Sequence, residues 1–175
     1  MIAMIRSDRY SFLKYGSYAL LMLGLFLLQS SRGTALWLWG ASVDVLPFFV
    51  AATALTDGPY AGGAFGFAAG VLASLNTPGV EGFSSLYLSL FGVLFGLFGA
   101  CYLRNILFSA LSGGALCMTL QSLFRYVFHD LLFYGMGPAE ALAAFGTRLL
   151  LSLPVGALAY LLLRAIHRRF TEDAS

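Results

Sequence analysis

Four polar residues, Asp44, Gln121, Arg125 and Arg148, stand within or beside long apolar stretches of the sequence. In a nonpolar environment an unpaired charge is costly, so Asp44 is expected to pair with Arg125 or Arg148. Taken with Trp37 and Trp39, these side chains form a candidate site for a partner or a ligand. Alternatively, the long side chains extend to a membrane surface, and the sequence leaves both interpretations open.

The usual catalytic templates are absent from the sequence. It contains no HExxH, no GxSxG and no Gly-rich phosphate loop between a strand and a helix. His129 and Asp130 are adjacent, but neighbouring residues on a helix point in different directions. Cys101 and Cys117 lie in apolar stretches without CxxC spacing, which is typical of packing thiols. We therefore expect no catalytic site, no metal site and no cofactor.

Composition predicts that the chain is embedded in a membrane. Of its 175 residues 59% are apolar and 10% are charged, whereas soluble domains carry roughly a quarter charged residues. A spanning helix needs about 20 apolar residues, so we expect an all-α bundle of about six transmembrane helices in one integral membrane domain, residues 1–175. The net charge is +2 with scattered basic residues, so nucleic-acid binding is not expected.

Turn residues divide the apolar segments. Asp57-Gly58-Pro59 and the loop 76–82 are rich in residues that end helices. The predicted spans cover about residues 15–31, 41–55, 60–75, 83–103, 106–128 and 140–164. The first resembles a signal peptide, but residues 29–32 make a poor cleavage site, so we expect a retained span. Pro154 lies inside the last span, where proline usually kinks a helix.

The distribution of Lys and Arg predicts the orientation. Basic residues accumulate in the cytoplasmic loops near span ends. With six spans, one side of the membrane carries Arg6, Arg9, Lys14, Arg104, Arg164, Arg168 and Arg169. The opposite loops contain one basic residue, Arg32. Both termini are therefore expected in the cytoplasm.

Small residues recur at four-residue spacing in two consecutive predicted helices. The rows are Gly62, Gly66 and Gly70 in the first helix, and Gly92, Gly96 and Ala100 in the second. Rows of this kind let two helix backbones approach closely in lipid. They predict packing of the third span on the fourth, with packing against a partner protein as the alternative.

The sequence resembles the rod shape-determining protein MreD family. The likeness rests on Asp44-Val45-Leu46-Pro47, the turn at Asp57-Gly58-Pro59, GGAFGFAAG at 62–70 and LFGVLFGLFG at 90–99. It implies a non-enzymatic subunit of the cell-elongation, peptidoglycan-synthesising machinery in the bacterial cytoplasmic membrane. The implied partners are MreC, MreB filaments, the SEDS glycosyltransferase and a class B penicillin-binding protein. Many members carry an Asp after the glycine-rich helix, where this chain has Ala73-Ser74-Leu75-Asn76, so that acid's role is not carried over.

A second hypothesis is a substrate-binding S component of an energy-coupling factor transporter, since these compact proteins with about six spans resemble the MreD family in architecture. Such a protein would hold a vitamin or a metal near its outer face. S components typically present an A-x3-A row in their first span, but this span reads YGSYALLMLGLFLLQSS. That difference favours the scaffold hypothesis.

Overall fold

The computed structural model of the chain describes residues 2–30, 43–76, 83–102, 106–127 and 137–172. These ranges are helical and contain no strand. The helices are α1 (Ile2–Ser30), α2 (Leu46–Asp57), α3 (Pro59–Asn76), α4 (Phe83–Tyr102), α5 (Ile106–Arg125) and α6 (Pro138–Glu172). The predicted all-helical class is therefore confirmed.

Two of these helices contain stretches long and apolar enough to cross a membrane, Leu107–Phe124 in α5 and Ala141–Arg169 in α6. Shorter apolar helices cover Leu46–Asp57, Pro59–Leu75 and Ser84–Gly99. The shortest, α2, has 12 residues and so reaches about 18 Å, less than the roughly 30 Å of a bilayer's hydrocarbon core. A count of six spans remains a prediction.

The connection between α2 and α3 consists of Gly58 alone. Gly58 has φ +87°, a conformation that glycine adopts without steric cost, and its amide donates to the Ala54 carbonyl at 3.1 Å. Pro59 then begins α3, where its missing N–H is tolerated.

Helices α1 and α6 are longer than the predicted spans. Helix α1 starts at Ile2, and α6 continues through Pro154 to Glu172.

Helix α2 lies at the centre of the bundle. Its residues from Leu46 to Ala54 are all buried, and it contacts each of the other five helices. A helix that is apolar on every face is stable where neighbours cover it on every side. The second hydrophobic segment is therefore the core of the fold.

The ring of Phe48, on α2, is held between two glycines on different helices. A Cβ on Gly156 of α6 would lie 2.6 Å from Phe48 Cγ, and a Cβ on Gly114 of α5 would also overlap this ring. Because glycine has no side chain, α5 and α6 both approach the central helix closely at this level. Phe48 is 2% exposed as a result.

The glycine rows of α3 and α4 face each other, and this pair of helices has the most extensive contact in the bundle. A Cβ on Gly62 would lie 2.8 Å from the Gly92 carbonyl oxygen, and one on Gly66 would lie 2.9 Å from the Leu88 carbonyl carbon. Backbone thus occupies the space that any side chain would need. We call this contact the glycine seam.

Neighbouring helices alternate in direction. Lys14, about midway along α1, meets Asp57 at the end of α2, and Gln29 near the end of α1 meets Asp44 just before α2. Further antiparallel contacts are Gly70 with Ser85, Gly113 with Phe95, and Tyr18 with His167. The start of α1 and the end of α6 therefore lie at the same end of the bundle, which we call the Asp57 end. The opposite end is the Asp44 end.

Large apolar side chains lie exposed on the five helices that surround α2. They include Leu20 and Leu27 on α1, Phe67 and Leu75 on α3, Leu86, Leu90 and Phe98 on α4, Phe108 and Leu123 on α5, and Leu142, Leu150 and Leu158 on α6. The outside of the molecule is thus apolar along most of its length.

Candidate functional site

Within the described ranges, most polar side chains that connect different helices belong to two clusters, one toward each end of the bundle. Separately, Tyr87 OH of α4 donates to the Cys117 carbonyl of α5 at 3.1 Å. The Asp44 cluster comprises Gln29, Asp44 and Ser152, and the Asp57 cluster comprises Lys14, Tyr18, Asp57 and His167. Fifteen residues of α1 separate Lys14 from Gln29, so the clusters lie about 22 Å apart along that helix.

The Asp44 cluster connects α1, the start of α2 and α6. Gln29 donates from Nε2 to Asp44 Oδ1 at 2.8 Å, and its Oε1 accepts from the Val45 amide at 3.2 Å. The Asp44 amide in turn donates to Ser152 Oγ at 3.1 Å. The first amides of a helix have no partner within the helix, so Gln29 and Ser152 satisfy backbone groups where α2 begins.

Replacing Gln29 by leucine is expected to lower the free energy of unfolding by about 1–3 kcal/mol. The substitution removes one donor from Asp44 and leaves the Val45 amide without this acceptor. Unfolding in mixed detergent and dodecyl sulfate micelles measures the loss. Leu27→Ala is the matched control, because Leu27 is exposed on the same helix, and equal losses in both variants would contradict the role of Gln29.

The predicted polar residues Asp44, Gln121 and Arg148 have described side chains, and all three lie toward the Asp44 end. Arg148 is one helical turn before Ser152 and so shares its side of α6, whereas Gln121 is half-buried on α5. The salt bridges formed within the described ranges join Asp57 to Lys14 and His167, and Arg148 is not among their partners. Trp37, Trp39 and the Arg125 side chain lie outside the described residues, so a pair between Asp44 and Arg125 remains a prediction.

The predicted helix-packing residues lie on α3 and α4, in the glycine seam. Gly62, Gly66 and Gly70 approach α4, and Gly92 approaches Gly62 in return. Gly96 lies nearest the start of α3, where an added Cβ would be 2.6 Å from Pro59 Cα. The side chain of Ala100 lies outside the described residues.

Sequence reasoning missed the Asp57 cluster. Lys14 Nζ donates to Asp57 Oδ1, His167 Nδ1 lies 3.6 Å from the same oxygen, and Tyr18 OH lies within hydrogen-bond distance of His167 Nδ1, at 3.2 Å. The Asp57 side chain is 6% exposed and that of Lys14 is 19% exposed. One carboxylate therefore joins α1 and α6 to the connection between α2 and α3.

Two aromatic rings of α1 lie close to the Lys14 ammonium. Its Nζ lies 6.0 Å from the centroid of Tyr15 and 5.8 Å from that of Tyr18. At such distances the face of an aromatic ring attracts a cation. Tyr18 also meets Phe65 of α3 edge-to-face at 5.9 Å. The ring contacts hold α1 against α3 beside the ion pair. The Asp57 cluster thus connects α1, α2 and α6, and α3 packs alongside.

Both clusters hold neighbouring helices together. In each cluster the polar atoms named above bind one another across helices. Among side chains within the described ranges, no group of three or more His, Cys, Asp or Glu residues is close enough to hold a metal ion.

The fold and these clusters define an all-helical bundle with an apolar outside and polar ends. Comparison of the chain with protein-family models, curated proteins and solved structures gives no match.

Proposed function

We propose that the chain is a multi-pass protein of the bacterial cytoplasmic membrane, with six helices crossing the bilayer. The observation that carries this proposal is the outer surface, where large apolar side chains lie exposed on five helices around the buried α2. Soluble monomers rarely expose apolar patches larger than a few hundred Å². Lipid removes the cost of such exposure, which supports membrane embedding.

The placement of polar groups also supports embedding. The Asp44 and Asp57 clusters lie toward opposite ends of the bundle, and the exposed surface between them is mostly apolar. A short α2 is compatible with a bilayer, because its ends are buried against protein and their backbone groups have partners there. Its 12 residues need not face lipid along the full hydrocarbon thickness.

Charge supports an orientation with both termini in the cytoplasm. The Asp57 end carries Lys14, Arg164, Arg168 and Arg169, whereas Arg148 lies toward the Asp44 end. Lys and Arg are enriched on the cytoplasmic side of membrane proteins. The Asp57 end is therefore the cytoplasmic end in this proposal.

Within the membrane, the proposed role is that of a non-enzymatic scaffold or regulator of the cell-elongation machinery, packing against MreC-type partners. Support comes from the resemblance of residues 44–47, 57–59, 62–70 and 90–99 to the MreD family. The glycine seam is used inside the molecule, between α3 and α4. In this proposal, MreC-type partners therefore contact the outward apolar faces of the helices.

An S component of an energy-coupling factor transporter is the second candidate, and the position of three predicted polar residues is what favours it. Asp44, Gln121 and Arg148 all lie toward the end that is extracytoplasmic in this proposal. That is the end at which an S component would hold its ligand. The two candidates differ in what should remain bound after purification.

Affinity purification of the tagged full-length chain from detergent-solubilised membranes tests the proposal. Mass spectrometry of co-purifying proteins and small molecules is expected to recover an MreC-type protein and cell-wall synthases. An unrelated multi-pass protein with the same tag controls for non-specific capture. Recovery of ATPase and T subunits, or of a stoichiometric vitamin, would reject the scaffold in favour of the S component.

A further inference from the structure

The exposed residues of α3 whose side chains are described lie on one face of the helix. They recur every three or four positions, as neighbours on one side of a helix do, and are Tyr60, Ala64, Phe67, Val71 and Leu75. All of these side chains except that of Tyr60 are hydrocarbon. Tyr60 lies in the first turn of α3, so a polar group stands at one end of an otherwise apolar face.

The Tyr60 ring lies at the Asp57 end of the bundle. Its residue is 92% exposed and follows Pro59, which begins α3 directly after the one-residue connection from α2. Long side chains in a helix lean toward the helix N-terminus. The ring therefore extends from the first turn of α3 back toward the level at which α2 ends.

A second exposed tyrosine lies at the same level on a neighbouring helix. Tyr15 is 43% exposed and follows Lys14, which donates to Asp57. Its ring centroid lies 6.3 Å from that of Phe65, so α1 and α3 are in contact here. Among the tyrosines whose side chains are described, Tyr15 and Tyr60 are the exposed ones. The others are buried or half-buried, namely Tyr18, Tyr87, Tyr126 and Tyr160.

We infer that Tyr15 and Tyr60 lie in the headgroup region of the cytoplasmic leaflet and set the depth of the bundle in the bilayer. Tyrosine has an apolar ring and a polar tip, and it is enriched where a membrane meets water. Each ring packs against the upper acyl chains, and each hydroxyl lies among phosphate and ester oxygens. The inference rests on the membrane embedding proposed above.

The order of side chains along α3 favours lipid over a partner protein as the neighbour of this face. Hydrocarbon side chains occupy it from Leu75 to Ala64, and the amphipathic ring of Tyr60 ends it. A bilayer has the same order, from its acyl-chain interior to its polar surface. Phe67 is seven residues from Tyr60 and therefore lies about 10 Å closer to the middle of the bilayer.

Depth-dependent fluorescence quenching of the full-length protein in phosphatidylcholine bilayers, brominated at different acyl-chain positions, tests the inference. Tyr60→Trp is made in a W37F/W39F background, so that one tryptophan remains, and Phe67→Trp is the matched comparison on the same face. Tryptophan shares the interfacial preference of tyrosine. The tryptophan at position 60 is expected about 15 Å from the midplane, half of the roughly 30 Å hydrocarbon core, and that at position 67 about 5 Å from it.

Equal depths at positions 60 and 67 would overturn the inference. So would a tryptophan at position 60 that aqueous acrylamide quenches and brominated lipid does not, since it would lie in water. Protection of position 60 from both quenchers would assign this face to a protein partner instead. Lipid quenching at position 67 alone rejects the tyrosine assignment and leaves the embedding intact, whereas no lipid quenching at either position rejects the embedding itself.

Tyr15→Trp in the same background extends the test to α1. Its tryptophan is expected within about 5 Å of the depth found at position 60, which is one helical turn, and a position near the midplane would contradict a shared level. Nitroxide labels on Tyr60→Cys and Phe67→Cys, with C101A/C117A removing the natural thiols, give the same depths by electron paramagnetic resonance. These labelled proteins keep the test decisive if the tryptophan-free background does not fold.

Discussion

Replacing Gly66 by leucine is expected to abolish the accumulation of folded protein. A Cβ at this position would already lie 2.9 Å from the Leu88 carbonyl carbon. This atom is part of the α4 backbone and cannot move aside as a flexible side chain could. Overpacking a tight contact typically costs 1–3 kcal/mol, and with backbone as the obstacle we expect more than about 3 kcal/mol. Size-exclusion chromatography of a fluorescent fusion in detergent measures the folded fraction.

Gly24 supplies the matched control for Gly66. It lies exposed on α1, and a Cβ built there has nothing within 4 Å. Gly24→Leu makes the same chemical change without an obstacle, so normal accumulation is expected. Gly66→Ala should fall between the two variants. If Gly66→Leu and Gly24→Leu accumulate to the same level, the close approach of α3 and α4 is not needed for folding.

Removing the charge of Lys14 is expected to destabilise the protein by about 3 kcal/mol, because breaking a buried ion pair from one side leaves a charge without its partner. In Lys14→Met the unpaired group is the Asp57 carboxylate, which is 6% exposed. His167 Nδ1, at 3.6 Å, and Thr56 Oγ1, which donates to Asp57 Oδ2 at 3.4 Å, still lie beside that carboxylate. The free energy of unfolding in mixed micelles measures the loss.

A double-mutant cycle with Asp57→Asn isolates the interaction itself. Asp57→Asn alone leaves Lys14 charged and partly buried, so it should also be costly. The double variant K14M/D57N removes both charges and is expected to lose less than the sum of the single losses, with a coupling of about 1–3 kcal/mol. Strictly additive losses would mean that the ion pair does not hold α1 to the connection between α2 and α3.

The helices and the turn between α2 and α3 can be predicted from the sequence, because glycine and proline interrupt otherwise continuous apolar segments. Asp57-Gly58-Pro59 combines a residue that tolerates positive φ with one that readily begins a helix. The repeat of Gly62, Gly66 and Gly70 similarly predicts a close helix contact. These signals are local in the sequence, and the structure has a one-residue connection and the glycine seam at these positions.

The central position of α2 could not be predicted, because lipid and protein interior select the same apolar side chains. Its segment LPFFVAATALTD gives no indication that all its faces contact protein, since α4 is equally rich in apolar residues but has several exposed leucines. Water-facing polar residues mark the outside of a soluble helix. Lipid-facing positions carry no such mark, so burial on every side follows from the tertiary structure alone.

The Asp57 cluster did have a signal in the sequence, in the form of isolated opposite charges next to apolar segments. The distribution of basic residues makes Lys14 a marker of orientation, and its neighbours Gly58 and Pro59 make Asp57 a turn residue. Yet the predicted alternation of spans brings the start of the first segment to the same level as the end of the second. A charge near membrane depth needs a partner, and this requirement, applied to both residues together, predicts the pair. His167 could be added only from the structure.

The burial of α2 also has a consequence for the order in which the protein can assemble during synthesis. Contacts that enclose Phe48 come from Gly114 and Gly156, which follow it by 66 and 108 residues. At ribosomal rates of roughly 5–20 residues per second, the second segment waits on the order of ten seconds for its last neighbours. In the membrane embedding proposed above, lipid or an insertion factor shields its small and apolar side chains during that interval. Premature release of the nascent chain would leave the segment that becomes the core as the surface most available for wrong association.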